Sequence, residues 1–147
     1  MKVFFDVDVI VDILGKTNWF ASSFIAYDVA MLRKCEVFVS AASLPTLSYV
    51  LHRRGIPRPD VQERIGALFG LVGIADVSES DCRRAHANAM KDFEDAIIAE
   101  SAFRHGADLL ITRNVKDYAD SPVKAITPKE FATCFKPDNV IYDEVEL

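Results

Sequence analysis

The chain has 147 residues, with 22 aspartates and glutamates against 17 lysines and arginines and a formal net charge of −5. Half of the residues are apolar and 27% are charged, the balance of one soluble domain large enough to bury a core without staples. That acidic balance excludes a general nucleic-acid-coating protein, which would be basic, but not an enzyme that meets nucleic acid through bound metal ions.

In chain order, residues 2–6 (KVFFD) are a short apolar run of β-formers ending on an acid and predict the first strand. A helix is expected from Asp8 to Leu14, with Asp8 as its N-cap and Gly15 as its stop. Phe20, Phe24, Ile25, Met31 and Leu32 recur at helical spacing and predict a helix over 19–34. Residues 36–40 (EVFVS) read as a second strand, and Leu44, Leu47 and Leu51 mark a helix ending near Arg54 and Gly55. Pro57 and Pro59 break the chain before a helix through Val61, Ile65, Leu68, Phe69 and Val72. A third strand over 73–77, a polar-faced helix over 79–89 and a helix from Glu94 to His105, stopped by Gly106, follow. Asp108 to Thr112 is a strand, Asn114 to Tyr118 a short helical turn, and Val123 to Ile126 the last strand. Pro128 then opens a helix to about Cys134. We read one domain over 1–135 and an acidic tail over 136–147.

Short apolar strands alternating with helices predict a three-layer α/β/α sandwich with a mainly parallel central sheet. In such sheets ligands bind beyond the carboxyl ends of the strands, which singles out Asp6, Ser40 and the turn Thr112-Arg113-Asn114. Cys35, Cys82 and Cys134 are odd in number and far apart, so they suit reduced thiols rather than a disulfide framework or a zinc site. The apolar opening carries Asp6, Asp8 and Asp12, a spacing foreign to a signal peptide or membrane helix. The expectation is a cytoplasmic protein with no membrane contact.

The acids are the chemistry-bearing residues. Asp6 leaves an apolar strand, where a buried carboxylate is costly without a cation partner. Asp8 suits an N-cap and Asp12 a structural ion pair. Asp92 and Asp95 open a helix three residues apart, the spacing of a cap and a first-turn acid. If these acids converge with Asp6, their mutual repulsion calls for a divalent cation, and oxygen-only ligands favour Mg²⁺ or Mn²⁺ over zinc. Asn114 can cap the turn after the fourth strand or offer a neutral oxygen to a metal. Arg113 and Lys116 could meet phosphate or simply be solvated. His52, His86 and His105 have no ligand spacing, and no phosphate-binding glycine loop or nucleophile elbow is present. Arg53-Arg54, Arg58 and Arg83-Arg84 are short basic clusters of the kind that usually face solvent.

The opening VFFDVDVIVDIL, the block DFEDAIIAESAFRHGADLLITRNVKDY and the closing AITPKEF together resemble the PIN-domain family of metal-dependent ribonucleases, including VapC-type toxins. The resemblance spans about residues 2–134. It implies an acidic pocket holding Mg²⁺ or Mn²⁺ on Asp6, Asp92 and Asp95, with Asn114 standing where many members have Asp. Asp8, Thr112 and Asp117 would support that pocket. It also implies an RNA substrate, a homodimer and a small antitoxin partner. Val7 and Asp8 replace the family's usual hydroxyl residue and Asn, and Thr46 stands where members often have Glu.

Such a site implies hydrolysis of RNA phosphodiesters by metal-activated water, with no protein nucleophile. Two other readings compete with it. One is a PIN-like module that binds RNA or protein with weak or no catalysis, since a fold does not fix a function. The other is a haloacid dehalogenase-like phosphatase, suggested by FFDVDV, although the 35 residues after Thr112 are too few for that layout.

Overall fold

The structure is a computed structural model and describes residues 1–142. The end of the acidic tail, residues 143–147, lies outside the described residues. The elements run β1 (Lys2–Phe5), α1 (Val7–Gly15), α2 (Phe20–Leu32), β2 (Glu36–Ser40), α3 (Ser43–Arg53), α4 (Arg58–Leu68), β3 (Gly73–Ala75), α5 (Glu79–Ala87), α6 (Phe93–Arg104), β4 (Leu109–Ile111), a 3-10 turn (Val115–Tyr118), β5 (Ala125–Ile126) and α7 (Pro128–Phe135).

The five strands form one parallel sheet in the order β3-β2-β1-β4-β5. Alternation along β1 divides the core. Val3 and Phe5 belong to the larger apolar cluster, with residues of α1, α2, α3, α4 and α7. Phe4 points the other way, into a cluster with Leu110, Ala85 of α5 and Ala96, Ile98 and Ala99 of α6. Both sheet faces are therefore covered, as a parallel sheet requires. This is the three-layer sandwich that the strand–helix alternation predicts.

Strand order reverses direction between β1 and β4, which makes the crevice past their carboxyl ends the ligand position of the fold. The residues that leave these strands are Asp6 and Thr112. Their edges are tied together where the Asp6 N–H donates to the Ile111 carbonyl at 2.9 Å.

Several boundaries differ from the sequence reading. The N-cap of α1 is Asp6 rather than Asp8, because the chain already turns after Phe5: Asp6 is extended (φ −68°, ψ 160°) and accepts the Val7 N–H. The left-handed stop of that helix is Lys16 (φ 49°), with Gly15 still inside it. Pro57 precedes α4 and Pro59 sits in its first turn, where a proline costs no helical hydrogen bond. That helix ends at Leu68, short of Val72. The strands β3, β4 and β5 are shorter than expected, since Asp108 and Thr112 lie outside β4 and Val123 outside β5.

The cysteines are free thiols. In the described part of the tail, the Tyr142 hydroxyl donates to Asp28 Oδ2 at 2.6 Å and its ring packs on the larger cluster. The basic pair on α5 is structural: Arg83 binds Glu79, and Arg84 binds Asp81 and Glu100. Among the described residues no helix is long and apolar enough to cross a membrane.

Candidate active site

Asp6 is 3% exposed. Among the described residues it has no ion-pair partner and is satisfied by dipoles instead: Oδ1 accepts the Val7 N–H at 2.7 Å and Oδ2 the Thr112 hydroxyl at 2.8 Å. Burial, the neighbouring Asp8 carboxylate and, more weakly, Asp95 raise its pKa to about 7, against the two hydrogen bonds that lower it. Asp8, displaced from the cap, reaches across to the turn after β4. Its Oδ2 accepts the Arg113 backbone N–H at 3.0 Å and the Asn114 amide at 3.3 Å, while its Oδ1 is buried with no hydrogen-bond partner among the described residues. Burial raises its pKa as well, opposed by Arg113.

Asn114 therefore does not cap the 3-10 turn with its side chain; its amide is spent on Asp8. Asp12 makes the ion pair expected of it, with Arg113 Nε at 2.8 Å, and also accepts from the Thr17 and Ser23 hydroxyls. Arg113 is thus anchored as well as available.

On the facing element, Asp92 caps α6 by accepting the Asp95 N–H at 2.9 Å. Asp95 is raised to about 6 by partial burial and then by Asp92, with Asp117 and Glu94 adding to it. Asp92, Asp95, Lys116 and Asp117 line one cavity of about 500 Å³. Asp8 and Arg113 line a second, of about 430 Å³. Asp92 and Lys116 are thereby placed beside Asp95 rather than beside Asp6.

Two residues that sequence reasoning missed join these halves. Tyr118, 3% exposed, donates its hydroxyl to Asp95 Oδ1 at 3.3 Å. Burial and the carboxylates of both Asp6 and Asp95 hold that phenol far above its usual pKa. A tyrosine closing a polar stretch (RNVKDY) was the available signal. Glu94 accepts the Thr46 hydroxyl at 2.8 Å, so an acid from α6 reaches the position on α3 where the family resemblance led us to expect Glu. In the sequence Glu94 stands only as the start of a helix.

Among the described residues, no three His, Cys, Asp or Glu side chains stand together as a ready metal cage. A cage is not what Mg²⁺ requires. It binds through one or two carboxylates, keeps several waters and takes substrate phosphate as a further ligand. Two crowded carboxylates with raised pKa values and an unpartnered oxygen on Asp8 form an all-oxygen donor set that fits such a cation.

The profile of the family described as "PIN domain" matches residues 2–116, and no curated protein sequence matches. The fold is similar to that of VapBC2 from Rickettsia felis, a complex bound to a DNA fragment from its promoter, with a TM-score of 0.70 and 16% identity over 86% of this chain and 98% of that one. It is similar to a toxin–antitoxin complex from Klebsiella pneumoniae, with a TM-score of 0.63 and 21% identity over 86% and 97%. The sarcin–ricin-loop-cleaving toxin VapC20 from Mycobacterium tuberculosis gives a TM-score of 0.59 and 14% identity over 74% and 86%. Asp6 and Thr112 stand at the switch point of a five-stranded parallel sheet, Asp95 faces them across Tyr118, and the profile covers most of the sequence: the chain belongs to the PIN-domain family.

Proposed function

We propose that this protein is a divalent-metal-dependent endoribonuclease and the toxin of a toxin–antitoxin pair. The observation that carries the reading is the convergence of Asp6 and Asp95 on one buried phenol, each carboxylate raised well above its ordinary pKa. Acids from two elements so arranged are poorly placed without a cation between them.

Asp6 and Asp95 would hold Mg²⁺ or Mn²⁺, with Asp92 and Asp8 adding negative charge and Asn114 a neutral amide nearby. A bound ion supplies acidified water and offsets charge growing on the scissile phosphate. Thr112 fixes Asp6, and Tyr118 fixes Asp95, by donating hydroxyl protons to one oxygen of each. Asp12 pins Arg113 beside the pocket, and Lys116 lines the Asp95 cavity, so both cations stand where a phosphate chain would pass. No serine, cysteine or histidine is needed as a nucleophile. An RNA substrate and an antitoxin partner are supported by the similar structures, among them a toxin–antitoxin complex and a sarcin–ricin-loop-cleaving toxin; a homodimer and a cytoplasmic location are part of the same proposal.

Incubation with mixed cellular RNAs, with Mn²⁺ and with chelator, tests this. Cleavage in Mn²⁺ is expected and should fall about 100-fold or more in Asp6→Asn and Asp95→Asn, given the several kcal/mol that metal charge stabilisation contributes. Cleavage that survives both substitutions, with folding intact by circular dichroism, would sink the assignment. Specific Mn²⁺ uptake without any cleavage would instead favour the binding-module reading, for which Thr46 in place of Glu is the supporting residue.

A further inference from the structure

Trp19 is the chain's single tryptophan, and 56% of it is exposed. Aromatic side chains normally find burial, and one left this bare is informative only if the structure holds it out on purpose. Here it does. Lys16 adopts a left-handed backbone conformation at φ 49°, turning the chain out of α1. Thr17 then donates its hydroxyl to Asp12 Oδ1 at 2.6 Å and accepts the Trp19 backbone N–H at 3.1 Å. Asp12 also pins Arg113 Nε at 2.8 Å, and that guanidinium sits over the indole, 5.4 Å from the ring centroid. One buried acid thus organises the turn that presents Trp19 and the cation that braces it.

The indole walls the groove of about 430 Å³ that it shares with Val7, Asp8, Asn18, Arg54 and Arg113. Arg54 lies along Gly15 of α1, where even a methyl group would come within 3.6 Å of its Nε. The groove opens beside Asp8, two residues from Asp6. Around one flat aromatic face its walls carry two arginines, Arg54 and Arg113, with the polar Thr17 and Asn18, the Asp8 carboxylate on the side of the acidic site and a floor of Val7, Val11 and Val50. That combination suits an unpaired base and its phosphate, because stacking on an aromatic serves any base and arginine binds phosphate oxygens. A duplex, with its bases already stacked, offers neither face.

We infer that the Trp19 groove is a nucleotide subsite of the candidate active site: it takes an unpaired base of single-stranded RNA against the indole, with Arg54 meeting a flanking phosphate. The inference rests on the nuclease reading for the identity of its ligand, but its test needs no catalysis.

Because Trp19 is the only tryptophan, intrinsic tryptophan fluorescence reports on the groove alone. In chelator at low salt, a single-stranded oligoribonucleotide should quench it saturably, and the same sequence annealed to its complement should not. With a dye-labelled oligonucleotide, Trp19→Ala should weaken binding about tenfold or more and Trp19→Phe by less. Arg54→Ala should flatten the salt dependence by about one phosphate contact. Quenching by protein that cleaves nothing in Mn²⁺ would keep the subsite and remove the nuclease reading. Unchanged fluorescence in protein that does cleave RNA would overturn the subsite, leaving the groove to a protein partner, and unaltered oligonucleotide binding by Trp19→Ala would overturn it equally.

Discussion

Inside the protein Asp6 accepts one N–H and one hydroxyl, with the Tyr118 phenol and the Asp8 carboxylate nearby, and ionising it there is expensive. Its pKa of about 7 in the fold, against an ordinary value of 3.8, means that between those limits the folded chain binds more protons than the unfolded one. Stability must then fall as pH rises through that window. In chelator, the melting temperature should decline from about pH 4 to about pH 7, with Asp95 contributing over the lower part of the range up to about pH 6. Asp6→Asn should flatten that decline and melt higher than the unsubstituted protein above about pH 7, whereas Mn²⁺ should stabilise only the unsubstituted protein. Differential scanning fluorimetry across pH checks this, and parallel curves for the two proteins would contradict it. Thr112 and Tyr118 donate hydroxyl protons to these acids, so under the proposed function they would orient the ligands of the cation. Tyr118→Phe and Thr112→Val should each weaken Mn²⁺ affinity by about 10- to 100-fold, the usual cost of losing a second partner to a ligand, with calorimetric titration as the readout.

Strands β1 and β2 were legible as short runs of β-formers, α2 from apolar residues recurring at helical spacing and α6 from the Gly106 that stops it. The opening VFFDVDVIVDIL was harder, since it is apolar at both strand and helix spacing, and nothing in it says which acid turns the corner. The cap fell to Asp6, which released Asp8 to cross to Arg113 and Asn114. Tyr118 was invisible for a different reason: a short 3-10 turn has no periodicity, so only the tertiary fold reveals that its phenol lies between two acids. Glu94 and Thr46 are 48 residues apart, and no local pattern connects them. At this scale Gly73 is a sharp test of packing. A Cβ there would meet Phe38 Cε1 at 2.6 Å, on a ring that stacks on Phe4 across the sheet. Gly73→Ala should therefore cost about 1–3 kcal/mol through overpacking, seen as a lower urea midpoint at unchanged slope. An unshifted midpoint would mean that the β2–β3 edge is looser than described.

For the whole molecule, strand–helix alternation was enough to predict a parallel sheet buried on both faces, but not the order β3-β2-β1-β4-β5. That order matters most for function, because it puts the reversal between β1 and β4 and so brings Asp6 and Thr112, 106 residues apart, to one crevice. The net charge of −5 takes on meaning in the same way. It reflects in part acids gathered in two cavities, one lined by Asp8 and Arg113 and the other by Asp92, Asp95, Asp117 and Lys116. Whether Asp6 and Asp95 are joint ligands of one catalytic cation is decided by Mn²⁺ titration of the purified protein above about pH 7, where both carboxylates are ionised. Specific, saturable uptake is expected, lost in Asp6→Asn and in Asp95→Asn alike. No uptake by the unsubstituted protein, or equal uptake by all three, would contradict it.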